Sequence, residues 1–342
     1  YKDKKEFNLA ITNNNYWKTI EPNNPEPQFN NSLIHIRNGR FDIGWKLYEN
    51  GLQNNIREPI EGYYKEDKVL WDGIPFDGTL LVYGEQGLGD QLVFGTVLPD
   101  LLKIQKKVIL KVDKRLRNLF QDSFENIDIF GETETIPNEK YQKFISIGSL
   151  CKFYRNHTDN FMNSDFRCYK LNQVLPSNFN NQMIDLKGLK IGLSWKTFAN
   201  RNASRRSLTS QLVSKIISNS DNSFINLQYG NIDHEVNEIN SNSKNKLNSI
   251  RGLDLTQDIN NIINVIKKCD LIITIDNTIA HLSSSLGKNT WILLPYSSDF
   301  RWMENISASL WYDNAVLIRQ DKNSSWDNVI KIIETAFSEK RL

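Results

Sequence analysis

The hydrophobic rhythm of the chain changes near Val69. Before it, positions up to residue 27 are mostly polar and carry Pro22, Pro25 and Pro27, which reads as a linker or a degenerate repeat. The following stretch, PQFNNSLIHIRNGRFDIGWKLYENGL, places Leu33, Ile36, Phe41, Trp45 and Tyr48 at helical spacings. Asn38-Gly39 interrupts it, so two short helices in a hairpin are predicted, with Gly44 allowing one to pack closely on the other. A single hairpin cannot bury its own apolar face. It needs upstream repeats or the next domain to cover it.

After Val69 short apolar runs alternate with amphipathic segments. TLLVY (79–83) precedes a glycine-rich turn and a helix-like stretch, LVFGTVLPDLLK; KVILKV, DKRLRNLFQDSF, ENIDIFGE and KFISIGSL follow. A second series begins with KIGLSW and continues through SLTSQLVSKIISN, SFINLQY, DINNIINVIKKC, DLIITID, NTIAHLSSSLG and TWILLPY. Strands alternating with helices predict parallel sheets, here two of them. The expected organisation is a linker plus helical hairpin at 1–66, an α/β domain at 67–186 and a second at 187–325. The polar segment Ser177 to Lys187 would join the two α/β domains, and a C-terminal helix is expected at 326–342, spanning Trp326 to Phe337. Ligands of such a bilobal protein bind at the C-terminal strand ends, expected here to face a shared cleft.

Composition narrows the partners. With 42 basic and 40 acidic residues in 342, the net charge of +2 creates no bulk field for nucleic acid or lipid, so local clusters must carry any anion binding. No apolar run approaches bilayer length and no charged-then-apolar leader opens the chain, which points to the cytoplasm without a membrane span. The first residue is Tyr1 rather than Met, which reads as a trimmed chain. Cys151, Cys168 and Cys269 are odd in number and unpaired in spacing, fitting a reducing compartment and no zinc site. Asn is abundant throughout, so any one Asn, or a sequon such as Asn156-His157-Thr158, carries little weight.

The candidate chemistry sits at predicted strand ends. GEQGLGDQ (84–91) is neither a Walker A loop nor GxGxxG in spacing. Gly87 and Gly89 permit positive φ or close backbone approach. Asp90 then has two readings: an N-cap carboxylate, or a general base at the mouth of a cleft. DLIITIDNTIAHLSSSLGK ends a buried strand at Asp276 and starts a helix at Asn277–Thr278, where free N–H groups and the helix dipole favour phosphate. His281 lies one turn in. Plain capping and a packed core histidine are the alternative. GLSWKTFANRNASRRSL clusters Lys196, Arg201, Arg205 and Arg206 as an anion site or a solvated loop. Gln228 and Tyr229 end another strand and suit a base or sugar. PYSSDFRWM supplies Asp299, Arg301 and Trp302, with a structural Arg–Asp tie as the simplest account. No HExxH, DxD-type or clustered His/Cys pattern asks for a metal.

Taken in order, LWDGIPFDGTLLVYGEQGLGDQLVF, IGLSWK…RRSL, INLQYG, IDNTIAHLSSSLGKNTWILLPYSSDFRW and SLWYDNAVLIRQ resemble the tetratricopeptide-repeat-linked glycosyltransferases related to the heptosyltransferases, from about residue 28 to about 320. The hairpin resembles one tetratricopeptide unit. The resemblance implies a GT-B fold, two Rossmann-like domains with the active site between them and a C-terminal helix (Trp326 to Phe337) crossing back to the first domain, and inverting, metal-independent transfer from a nucleotide-diphosphate sugar. It implies Asp90 as base, and a donor diphosphate site at Lys196, Asp276, Asn277, Thr278 and His281, to which Arg205 and Arg206 add charge. Glu85, Gln86, Gly87 and Gly89 become an acceptor-side loop, and Gln228 and Tyr229 nucleoside or sugar contacts. The sequence departs at Asn277, where Thr is more usual, and at Thr278, where a smaller residue is common. No cofactor is expected beyond the donor; the acceptor is a glycan, a lipid-linked saccharide or a protein, and the N-terminal repeat offers a protein-binding surface. A catalytically silent binding protein on the same fold is the competing reading. An epimerase is disfavoured because the acidic and His pairs of that chemistry are not evident.

Overall fold

The computed structural model describes residues 4–57, 68–198, 203–218 and 220–339. It divides into a first unit, Tyr1–Lys170 with Asp299–Ile306, and a second, Leu171–Ser298 with Ser307–Leu342.

The first unit holds a five-stranded sheet: β1 (Val69–Leu70), β2 (Leu80–Tyr83), β3 (Val108–Val112), β4 (Asp128–Gly131) and β5 (Lys143–Ser146). All pairings are parallel, in the order β1-β5-β2-β3-β4. β2 and β3 are buried along their whole length, as continuous apolar runs in a parallel sheet require. From β2 the chain steps outward through β3 to β4, then returns to lay β5 on the other side of β2. The strand order therefore reverses beside the C-terminal end of β2.

Among the described residues three α-helices precede this sheet rather than two, Phe7–Ile20, Glu26–Arg37 and Phe41–Tyr48, the last running on into a 3-10 helix at Glu49–Asn55. The first replaces the expected linker. Its polar, Asn-rich surface hides the period, because only Ala10 of its residues is fully buried. The expected hairpin is present, turning at Gly39 with φ +75°. A Cβ on Gly44 would lie 2.5 Å from Ile36 Cγ1 and 2.9 Å from the Ile36 nitrogen, so these helices touch through that glycine. The first unit covers the hairpin's apolar face: Trp45 Nε1 donates to the Arg155 carbonyl at 2.8 Å, and Phe41 meets Phe161 with centroids 4.9 Å apart. The expected boundary at residue 66 lies outside the described residues.

The second unit carries β6 (Lys190–Ser194), β7 (Ser223–Asn226), β8 (Leu247–Asn248), β9 (Leu271–Ile275), β10 (Thr290–Leu294) and β11 (Ala315–Arg319). The order is β11-β10-β9-β6-β7-β8, again all parallel, and it reverses between β6 and β9. The strands β1, β8 and β11 lie at sheet edges and were not anticipated; two of them are two residues long, too short to show alternation.

Two expectations about domain limits change. Ser177–Ile184 is a helix of the second unit with Phe179 and Met183 buried, not a joint; the units part at Lys170–Leu171. The C-terminal helix, Asp327–Ser338, also belongs to the second unit. Val329, Ile330, Ile333 and Phe337 form one apolar stripe in its core, with Phe337 stacked on Trp291 at 6.2 Å. The segment that joins the first unit instead is Asp299–Ile306. Among the described residues no helix is long and apolar enough to cross a membrane.

Candidate functional sites

Each sheet has one topological switch point, and the residues singled out in the sequence gather at both. Such points are where open α/β sheets bind ligands, because the connections diverge to either side and leave a crevice.

In the first unit β2 feeds the glycine turn directly. Gly87 is the N-cap of the helix Leu88–Gly95, and Asp90 stands at its third residue. Asp90 is thus not the N-cap. Its Oδ2 accepts from the Gly87 N–H at 3.2 Å, the acidic half of a capping box whose other half a glycine cannot supply. Its Oδ1 is ion-paired with Arg301. Arg301 in turn bonds Asp299 at 2.5 Å and lies over the Phe300 ring at 4.4 Å. The expected Arg–Asp tie exists; its extension to Asp90 was missed, because no local pattern links positions so far apart.

The rest of the turn departs from the acceptor-loop expectation. Glu85 faces inward and is buried. Arg57 Nη2 holds its Oε1 at 2.6 Å, and Ser146 Oγ donates to its Oε2 at 2.7 Å. Arg57 also meets the Tyr48 carbonyl at 3.2 Å and Glu49 at 3.3 Å. Burial alone would lower the pKa of this guanidinium; the Glu85 carboxylate, with Glu49, more than reverses that and raises it. Positive φ falls on Gln86 (57°), not on Gly87, whose φ is −88°, and Gly89 is helical. Gln86 Nε2 donates to Tyr48 Oη at 2.8 Å, which anchors the unusual backbone. Gly87 is exposed, and a Cβ there would meet only Asp90 Oδ2 at 3.5 Å, so the open face of the turn is at Gly87 and Asp90.

In the second unit β6 and β9 flank the switch point, and their ends bring Lys196 and Asp276–Asn277 together. Asn277 is the N-cap of the helix Thr278–Ser285. Its Oδ1 accepts from the Ile279 and Ala280 N–H groups at 2.9 and 3.4 Å, and its Nδ2 donates to Ser194 Oγ at 2.8 Å. Two of the first-turn amides expected to be open to phosphate are therefore engaged, and Thr278 N–H is the donor that this side chain leaves. Arg206 bonds the Asp276 carbonyl and approaches its Oδ2 at 3.4 Å. Arg205 is exposed on the short helix Ala203–Arg206; Arg201 lies outside the described residues.

Lys196 is ion-paired with Glu235, and its Nζ sits 5.3 Å from the Phe198 ring centroid. Gln228 is buried, and its Oε1 accepts from the N–H groups of Trp195 and Lys196 at 2.8 and 2.7 Å. That amide ties β7 to β6 and has no oxygen to offer a nucleoside, contrary to expectation. Tyr229 is half-buried against the exposed Phe198, with centroids 5.5 Å apart. His281 is buried, with Nδ1 3.2 Å from Tyr312 Oη. Loss of hydration pulls its pKa down to about 4, opposed by Asp276 and aided by Arg206, so it is neutral near pH 7.

The fold is similar to that of the family 9 glycosyl transferase from Veillonella parvula DSM 2008, with TM-score 0.51 and 11% identity, covering 78% of this chain and 90% of that one. It is likewise similar to E. coli ADP-heptose LPS heptosyltransferase II, with TM-score 0.53, 12% identity and 77% and 100% coverage. In sequence the chain is 24% identical to the protein FlbA of Caulobacter vibrioides over 345 residues. That match takes in 93% of this chain and 56% of FlbA. No protein-family model matches the chain. These likenesses establish the two-sheet α/β fold anticipated from the alternating pattern.

Proposed function

We propose that the chain is an inverting glycosyltransferase using a nucleotide-diphosphate sugar and a glycan, lipid-linked or protein acceptor. The observation that carries this reading is the position of Asp90, at the first sheet's switch point on a fold similar to that of glycosyltransferases. Asp90 takes the proton of the acceptor hydroxyl as that oxygen bonds to the anomeric carbon. The bond from that carbon to the diphosphate breaks, and its electron pair leaves on the phosphate. Lys196, Arg205 and Arg206 neutralise the diphosphate in place of a metal, and the Thr278 N–H and neutral His281 serve it as hydrogen-bond donors. Asp276 and Asn277 hold that frame, and Phe198 with Tyr229 offers ring faces to the base. The hairpin Glu26–Arg37 and Phe41–Tyr48 is read as one tetratricopeptide-like unit, a surface for a protein partner, in a cytoplasmic enzyme.

A second reading, a silent binding protein on this fold, draws on specific contacts. Asp90 has both oxygens engaged, Lys196 is paired with Glu235, and Asn277 occupies two helix amides. Calorimetry with ADP, GDP and UDP and their sugars, ADP-heptose included, decides first: no binding by any of them refutes the transferase. A transfer screen follows, in which Asp90→Asn is expected to lose at least 100-fold in kcat. Binding without transfer favours the silent protein, and full transfer by Asp90→Asn removes the base assignment.

A further inference from the structure

The segment Asp299–Ile306 is part of the first unit although it follows the strand β10 of the second sheet. It is held along its length. Phe300 packs on Trp45 and Tyr48, with centroids 6.4 and 6.0 Å away, and Trp302 is wholly buried. Glu304 is ion-paired with both Arg37 and Lys5, the latter at 2.6 Å. Between and after these anchors Met303 and Asn305 adopt φ of +51° and +56°, conformations that persist in non-glycine residues only when the surroundings over-determine them. The result is a rigid strap, and Arg301 is the residue it presents to Asp90.

We propose that Arg301 is the positioning residue for Asp90, fixing the orientation of the carboxylate and favouring its ionised form. The proposal rests on the reading of Asp90 as base. Three contacts keep the guanidinium in place: Asp299 at 2.5 Å, the Phe300 ring at 4.4 Å, and the ring of Phe94, on Asp90's own helix, at 5.9 Å. Asp90 is then gripped from two directions, by the Gly87 N–H on one oxygen and by Arg301 on the other. One oxygen of such a carboxylate can receive a proton while the other remains on the guanidinium, so orientation survives the step. Tyr48 lies close enough to Arg301, Arg57 and Glu85 to feel all three charges, and burial raises its pKa so that it stays neutral. The guanidinium lies between two carboxylates, those of Asp90 and Asp299.

The test is a titration of the full chain labelled with carboxyl-13C aspartate, with the Asp90 signal identified by its loss in Asp90→Asn. In Arg301→Gln the Asp90 midpoint is expected to rise by a unit or more, and Arg301→Lys, which keeps the charge, should recover at least half of that rise. An unmoved midpoint in a folded variant overturns the proposal, whether or not the protein is a transferase. If Arg301→Gln does not fold, the Arg301→Lys and Asp299→Asn midpoints decide: a shift in either supports it, and none in both overturns it. In a transfer assay Arg301→Gln should lose 10- to 100-fold in kcat, with KM for the donor within twofold. The acid limb of its kcat profile should move with the NMR midpoint. Failure of wild type to transfer from any donor refutes the transferase reading alone, because the titration still reports on Arg301.

Discussion

Replacing Arg57 by Met tests whether the N-terminal helices and the glycine turn form one structure. Arg57 and Glu85 are both without side-chain exposure and lie 2.6 Å apart, and the guanidinium centre is 4.1 Å from the Tyr48 ring. Methionine keeps much of the volume but leaves the Glu85 carboxylate buried with Ser146 as its remaining donor. Breaking a buried ion pair from one side costs about 3–5 kcal/mol, most of it the penalty of the charge left behind. Glu85→Gln should cost less, about 2 kcal/mol, because the amide oxygen still accepts from Ser146 and Glu49 still faces Arg57. The double variant removes both charges and should be more stable than the two single costs summed, by roughly 2 kcal/mol of coupling. The chain has two units, so a single denaturation curve mixes their stabilities. Urea-dependent hydrogen exchange at the amides of Leu80–Tyr83 reads the first unit alone. A loss below 1 kcal/mol in Arg57→Met, or additivity within about 0.5 kcal/mol, would refute the reasoning.

Gly44→Ala should destabilise the first unit by about 1–3 kcal/mol, since its Cβ would need space held by the side chain and backbone of Ile36; exchange at the hairpin amides measures it. His281 binds its proton near pH 4 when folded and near 6.5 when unfolded, so the unfolded chain takes up more protons between those values. Stability contributed by neutral His281 is complete above about pH 6.5 and is lost as pH falls through 4, by about 3 kcal/mol in all. His281→Gln should lack that part of the acid slope in a pH series of unfolding curves, and an unchanged slope would contradict the assignment. Burial raises the Cys269 thiol to about 12 and lifts that of Cys151, also buried, while Cys168 is exposed. One thiol should therefore react quickly with a disulfide reagent in the native protein and three after denaturation; three fast thiols would contradict the burial.

Much of this protein was readable as local pattern. TLLVY, KVILKV, KIGLSW, DLIITID and TWILLPY became buried parallel strands, because a strand covered on both faces must be apolar throughout. The hairpin turn at Asn38-Gly39 and the close approach at Gly44 followed from residue size and backbone freedom. The helix Phe7–Ile20 escaped, since a helix that buries one residue fully leaves no stripe to count. The candidate sites were legible as places rather than as contacts. Strand ends next to glycine turns and helix starts named Asp90, Lys196 and Asp276–Asn277. Which partners hold them was decided by the fold: Arg301 on Asp90, Arg57 on Glu85, Glu235 on Lys196, Tyr312 beside His281. Hydrophobic period is a property of neighbours along the chain and survives in one dimension. An ion pair joins residues that only the folded sheets and the strap at Asp299–Ile306 bring within reach, and nothing in the spacing of the chain encodes that distance.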